Sequence, residues 1–82
     1  MKGDMIKLPQ ITLVAARVNA NLKQKDAAHL LGIHPQTLSH YEKDSSNIPY
    51  ELLKHMCDLY GMKPEYIFLG KKYEKNRTRT KA

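Results

Sequence analysis

The chain has 82 residues, of which 41% are hydrophobic and 27% charged, and its formal net charge at pH 7 is +6. This length fits one small domain burying about 60–65% of its surface, which leaves little room for a catalytic cleft. A single cysteine, Cys57, excludes an internal disulfide framework and fits a reducing cytoplasm. No run reaches the roughly 20 apolar residues of a membrane span, and no signal peptide is recognisable. Enzymes and membrane proteins are therefore not expected.

The first predicted helix follows an extended lead-in over residues 1–10, where Pro9 discourages helix formation. Thr12 is a suitable N-cap because its hydroxyl can accept a hydrogen bond from the first turn. A helix is therefore predicted from Leu13 to Ala20.

Two further helices are predicted over Gln24–Leu31 and Pro35–Lys43, with a tight turn at Gly32 between them. Glycine adopts the positive φ angle of such a turn without steric cost, and proline suits the first position of a helix. Lys23 precedes the second helix and is a poor cap, so either Asn21 caps this helix or its first turn frays.

The last two predicted helices follow the turn signal at residues 44–47. An apolar stripe of helical spacing predicts a helix from Pro49 to Tyr60, which ends at Gly61. Pro64 opens a short fifth helix that carries Ile67, Phe68 and Leu69 and is closed by Gly70. The expected fold is all-α, a compact bundle of about five short helices around one core.

Residues 24–43 have the pattern of a helix-turn-helix. Ala27 and Ala28 are small enough for two steeply crossing helices to approach closely, and Ile33 fills the space under the turn. On the third helix, Leu38 and Tyr41 face one way with Glu42 beside them. A polar set lies on the opposite face: Gln36, Thr37, His40 and Lys43.

This stretch resembles the helix-turn-helix of the phage Cro/repressor family of DNA-binding domains. The segment 15–24 is similar to the family's first helix, and the segment 48–70, which includes Leu59-Tyr60-Gly61, resembles its last two helices. The resemblance covers residues 11–70 and implies a domain over that range. It also implies a transcriptional regulator of phage or mobile-element repressor type that binds double-stranded DNA sequence-specifically in the bacterial cytoplasm, at the nucleoid.

Three side chains of the third helix are the candidates for contacts with base edges, namely Gln36, Thr37 and His40. A Gln amide can bond N6 and N7 of adenine together, a Thr methyl can pack on a thymine methyl, and an imidazole can donate to guanine. The alternative is an ordinary solvated face, with the His40 ring lying along the phosphates.

The family resemblance implies phosphate contacts at the start of the second helix and around the end of the third. A helix N-terminus favours a phosphate, and hydroxyl, amide and backbone N–H groups can hold one. The loop after the third helix has no arginine, and the alternative is a plain polar turn. The candidates are Gln24, Ser39, Lys43, Ser45, Ser46 and Asn47.

The resemblance further implies an ion pair between Arg17 of the first helix and Glu42 at the end of the third. A shielded pair would fix the docking angle of the third helix. Removing one partner of a buried pair costs about 3–5 kcal/mol.

A metal or catalytic site is not expected from the histidines and Cys57. His55 and Cys57 are two positions apart and point about 200° away from each other on a helix. The sequence contains no CxxC or HxxxH pair. We therefore expect no metal, no cofactor and no small-molecule ligand.

Most of the positive charge lies at the C-terminal end. Residues 71–82 contain six basic residues and one acid, whereas residues 1–70 contain eight basic and seven acidic residues. A basic end of this kind is commonly a flexible, solvated tail. The alternative is an arm that contacts the DNA backbone.

The expected partner is a palindromic DNA operator bound by a homodimer, with half-sites roughly 34 Å apart, because one small domain makes few base contacts. Antitoxins and restriction-modification controllers use the same domain. A protein-interaction module on a helix-turn-helix scaffold remains an alternative, since residues 1–70 are nearly neutral.

Overall fold

The computed structural model of the chain describes residues 10–71. Most of the predicted lead-in and all of the predicted tail after residue 71 lie outside the described residues. The described part is all-α, as predicted, and contains four α-helices and one turn of 3₁₀-helix. These are α1 (Leu13–Asn19), α2 (Gln24–Leu31), α3 (Pro35–Lys43), α4 (Tyr50–Tyr60) and the 3₁₀ turn Pro64–Tyr66.

Helix α1 begins at the predicted cap and ends in a hydrogen-bonded motif that uses an asparagine. The Thr12 hydroxyl accepts a hydrogen bond from the N–H of Ala15 at 3.1 Å. At the other end, Asn21 has a φ of 61°, and the N–H of Leu22 reaches back to the carbonyl of Arg17 at 3.2 Å. This is a Schellman ending. Asn21 therefore terminates α1 and does not cap α2.

The N-cap of α2 is Lys23, which has an extended backbone and makes no side-chain capping bond. Helix α2 ends at Gly32 with a φ of 72°, and the N–H of Ile33 bonds the carbonyl of Ala28 at 3.0 Å. Helix α4 ends in the same manner at Gly61. The three α-helices other than α3 thus share one type of C-terminal ending.

The core lies where α2 crosses α3 and where α4 packs against α1 and α2. Ala27 and Ala28 of α2 and Leu38 of α3 are completely buried and belong to one apolar cluster. Small residues here let the two helices approach closely. The buried apolar residues are Leu13, Ala16, Ala27, Ala28, Leu38, Leu53, Met56, Cys57, Tyr60 and Ile67.

The predicted fifth helix is wrong beyond its first turn. After the 3₁₀ turn the chain becomes extended, and Ile67 forms a parallel bridge with Ile11. The N–H of Ile11 bonds the carbonyl of Tyr66 at 2.9 Å, and the N–H of Phe68 bonds the carbonyl of Ile11 at 2.8 Å. The backbone groups around Ile67 find partners across the molecule, and aromatic and β-branched residues suit an extended segment.

The extended segment 67–71, here called the terminal segment, also pairs with the loop that follows α3. Lys71 forms an antiparallel bridge with Asp44, and the N–H of Ser45 bonds the carbonyl of Gly70 at 2.9 Å. The terminal segment therefore lies between Ile11 on one side and the end of α3 on the other.

None of the helices within residues 10–71 has the length and apolar content needed to cross a membrane.

Candidate nucleic-acid interface

Helix α3 has one buried face and one open face. Leu38 and Glu42 are buried against the domain. The side chains on the opposite side are exposed, and we refer to them as the outer face of α3: Gln36, Thr37, His40 and Lys43. The structure therefore brings the three predicted base-contacting residues together on one accessible surface.

The dimensions of α3 suit the major groove of duplex DNA. An α-helix with its side chains is about 10–12 Å in diameter, and the major groove, about 12 Å wide, admits one such helix; the nine residues of α3 extend about 13 Å along it. The His40 ring meets the ring of the half-buried Tyr41 edge to face, with centroids 5.0 Å apart.

A buried ion pair holds α3 against the first helix. Arg17 donates from Nε to Oε2 of Glu42 at 2.6 Å and from Nη2 to Oε1 at 3.3 Å. A third donor, Nη1, bonds the carbonyl of Leu22 at 2.9 Å. The Arg17 and Glu42 side chains are only 13% and 4% exposed. Arg17 thus connects α1, the α1–α2 turn and α3, and its pair with Glu42 is the one that the family resemblance implies.

Gln24 extends this pair into a three-residue cluster. Its amide nitrogen donates to Oε1 of Glu42 at 2.9 Å. An amide group has a second hydrogen and an acceptor oxygen, so the contact leaves Gln24 able to bond a further group. Because Gln24 is the first residue of α2, this cluster fixes the N-terminus of α2 beside α3.

A cleft of about 210 Å³ opens at this cluster. Three of its lining residues, Gln24, Ser39 and Lys43, are among those predicted to contact phosphate. The first turn of α2 makes no side-chain capping bond, so its N–H groups and the positive end of the helix dipole remain available to an anion. Arg17 and Glu42 also line the cleft, and their opposite charges balance each other.

The loop after α3 contains an ordered turn around Asp44. Oδ1 of Asp44 accepts hydrogen bonds from the Ser46 hydroxyl and from the Ser46 N–H, the latter at 3.0 Å. These bonds lower the pKa of Asp44, and the positive charges of Lys71 and His40 lower it further. The Ser46 and Asn47 side chains are exposed in this loop.

Ser45 is placed differently from the other predicted phosphate contacts. It is only 5% exposed. Its hydroxyl accepts from the N–H of Gly70 at 3.0 Å and lies 3.3 Å from the Gly70 carbonyl. The side chain is occupied by the terminal segment, so we remove Ser45 from the phosphate-contact set. A polar turn sequence does not distinguish such a serine from an exposed one.

Two residues beyond the predicted set influence this region. Asp44 orders the loop, as an aspartate two residues before a bonded N–H commonly does. Tyr60 is buried, and its hydroxyl has no hydrogen-bond partner within the described part of the chain. Burial, together with the negative charge of Glu42, raises the pKa of Tyr60 to about 12. No sequence pattern reveals this second relationship, because Glu42 and Tyr60 meet only through folding.

A helix-turn-helix family model of the Cro/C1 type matches residues 13–67 of the chain. The chain belongs to this family, whose members are DNA-binding regulators of transcription. The resemblance to Cro/repressor-type domains is thereby confirmed. A comparison with curated proteins found no match.

Proposed function

We propose that this protein is a sequence-specific regulator of transcription, of phage or mobile-element repressor type, that reads the major groove with the outer face of α3. The observation that carries this proposal is the division of α3 into two faces. Gln36, Thr37 and His40 are exposed, while Glu42 on the other face is held by Arg17 and Gln24. A rigidly mounted helix with free polar side chains can discriminate between base pairs.

In this proposal, Gln36, Thr37 and His40 contact base edges. Each well-formed bidentate contact discriminates against a wrong base by about 1–3 kcal/mol. Pro35 at the front of α3 has no N–H or side-chain donor, so it offers apolar contact only. Sequence discrimination therefore concentrates in the two turns of α3 that follow it.

Phosphate contacts position α3 in the groove. The cleft residues Gln24, Ser39 and Lys43 would hold one phosphate together with the N–H groups of α2. Ser46 and Asn47, which are exposed in the loop after α3, would contact a second phosphate. Two phosphate contacts of this kind would fix the register of α3 on the duplex.

A homodimer on a palindromic operator completes the proposal. Three base-contacting side chains from one domain give limited specificity, and a two-fold symmetric pair of domains doubles the number of base contacts. The half-sites would lie roughly 34 Å apart, one turn of the duplex.

Selection of bound duplexes from a random pool tests the proposal. We expect enrichment of a palindrome by the parent protein. The variant Gln36→Ala/His40→Ala should lose the preference for that duplex and keep the parent circular dichroism spectrum and melting temperature. His55→Ala on α4, an exposed histidine, is the matched control and should bind as the parent does. Equal binding of the parent to all duplexes would overturn the proposal.

A further inference from the structure

A second cleft, which the proposed function leaves without a role, opens at the turn between α2 and α3; we call it the turn cleft. Its volume is about 540 Å³. Because one water occupies about 30 Å³ in the liquid, the turn cleft has room for a phosphate group and several waters. Its lining residues are His29, Gly32, Ile33, His34, Pro35 and Thr37.

The turn brings two imidazoles from different helices to this cleft. His29 lies in the last turn of α2, and His34 is the residue that directly precedes α3. Between them the chain reverses at Gly32, where φ is 72°, and the N–H of Ile33 bonds the carbonyl of Ala28 at 3.0 Å. The end of α2 and the start of α3 therefore line one cleft.

Both imidazoles are available to a ligand. His29 and His34 are exposed, and neither ring makes a hydrogen bond or an ion pair within residues 10–71. In particular, His34 makes no side-chain capping bond at the start of α3. A neutral imidazole has one N–H donor and a protonated imidazole has two, so the pair offers donors in either state.

The charges around the turn cleft favour an anion. No acidic side chain lines it, and its only ionisable lining residues in the described chain are the two histidines. On α2, the charged residues one turn before His29 are Lys25 and Asp26, whose opposite charges offset each other. On α3, the first ionisable residue after His34 is His40, which is not part of the lining. An anion in the cleft would therefore meet N–H donors without a competing carboxylate.

The turn cleft adjoins the outer face of α3, because Thr37 belongs to both. It lies at the first turn of α3, whereas the cleft beside Gln24 is lined by Ser39 and Lys43, further along the helix. The nine residues of α3 extend about 13 Å, and phosphates recur about every 3.4 Å along each strand of a duplex. Different phosphates can therefore occupy the two clefts.

We propose that the turn cleft binds a backbone phosphate of the DNA through His29 and His34, as a third phosphate contact. This inference rests on the proposed function, because it requires a duplex held by the outer face. A protonated imidazole donates charge-assisted hydrogen bonds, which are about twice as strong as neutral ones. The bound phosphate therefore favours the protonated rings. DNA affinity should rise as the pH falls through the range of about 5–8 in which histidine ordinarily changes its charge.

The pH dependence of binding to the selected duplex is the first test, measured with EDTA present so that no metal ion bridges the rings. A proton taken up on binding changes the affinity by about tenfold per pH unit. Between pH 6 and pH 8, the parent should lose about tenfold more affinity than His29→Gln/His34→Gln. Any contribution of His40 is present in both proteins and cancels from this comparison.

The matched control is His55→Gln. His55 is an exposed histidine of α4 outside the lining of the turn cleft, so this variant should reproduce the pH profile of the parent. The double variant should keep the parent melting temperature, because the rings that it removes make no bond within residues 10–71.

A neutral methylphosphonate, placed at one backbone position of the duplex at a time, locates the phosphate. At one position in each half-site, the replacement should weaken the parent about tenfold and leave the double variant almost unchanged. Equal pH profiles for the parent and the double variant, or equal responses to every replacement, would overturn the phosphate site while leaving the proposed function in place. A parent protein that prefers no duplex would overturn both.

Discussion

Arg17 and Glu42 form a two-point contact, with Nε–Oε2 and Nη2–Oε1 distances of 2.6 and 3.3 Å, that joins α3 to α1. Glu42 is one of only two buried polar residues among residues 10–71. Three nitrogen donors from two different elements meet its carboxylate. The orientation of α3 therefore depends on one negative charge.

Glu42→Gln should lower both stability and DNA affinity. The substitution leaves the Arg17 charge buried without its partner, which costs about 3–5 kcal/mol in comparable sites. For a domain of this size, each kcal/mol corresponds to about 4–8 °C in melting temperature. Thermal unfolding and a titration with the selected duplex measure the two effects.

The matched control for this prediction is Glu51→Gln. Glu51 lies 3.9 Å from Lys54, and both side chains are largely exposed. Exposed pairs contribute about 0–1 kcal/mol, so the melting temperature should change little. An unchanged melting temperature for Glu42→Gln would contradict the role given to the buried pair.

Tyr60→Phe should leave stability at pH 7 unchanged or raise it. The Tyr60 hydroxyl is buried with no partner in residues 10–71, and an unsatisfied buried hydroxyl costs about 1–3 kcal/mol. Chemical denaturation at pH 7 measures the difference. A loss of several kcal/mol would contradict the assignment of the Tyr60 hydroxyl as unpartnered.

The raised pKa of Tyr60 predicts that the stability of the protein falls at alkaline pH. The pKa of Tyr60 rises to about 12 in the folded protein, above the unfolded value of about 10. The free energy of unfolding therefore includes a favourable difference from keeping Tyr60 neutral, which is fully present below pH 10 and is lost as the pH rises through 12. Between these values the parent should lose stability more steeply than Tyr60→Phe. Tyr50→Phe, at a side chain 65% exposed, should follow the parent curve.

Gly32→Ala should cost about 1–2 kcal/mol, the typical penalty for a side chain in the left-handed region. Gly32 has a φ of 72°, yet a Cβ placed on it meets no atom within 4 Å. The cost therefore arises from the backbone angle and not from a clash. Gly32→Asn should be milder, because Asn21 already occupies the equivalent position at the end of α1. Equal losses from the two variants in denaturant titrations would contradict this explanation.

Ser45→Ala should destabilise the domain by about 1–3 kcal/mol, because it deprives the N–H of Gly70 of its acceptor. The neighbouring Ser46 is exposed, so Ser46→Ala should cost less. Hydrogen exchange at the Gly70 amide provides a local measurement and should accelerate in Ser45→Ala alone. Identical protection of that amide in both variants and the parent would argue against the Ser45 contact.

Local sequence patterns account for the helices and for their ends. Thr12, Gly32 and Gly61 mark helix boundaries through their own conformational preferences, and the structure places boundaries at each of them. The outer face of α3 also follows from helical spacing alone. These features depend on residues near one another in the chain, which is why the sequence is sufficient to predict them.

The terminal segment could not be predicted in this way. Pro64 does begin a helical turn, but Ile67 pairs with Ile11, far away in the sequence. Ser45 has the same local sequence context as an exposed turn serine. It is buried because Gly70, which is distant in the sequence, lies beside it and donates its N–H to the Ser45 hydroxyl. Pairing between distant backbone segments leaves no periodic signal in either one, so the extended segment after Pro64 and the burial of Ser45 escape prediction for the same physical reason.

The two faces of α3 differ in how freely their residues can be substituted. Glu42 and Leu38 are buried and hold α3 against the domain. The side chains of Gln36, Thr37 and His40 are exposed and make no hydrogen bond or ion pair within residues 10–71. Exchanging those three side chains should retarget the protein to a different operator at little cost in folding. The scaffold is consequently well suited to the evolution, or the laboratory selection, of new binding specificities.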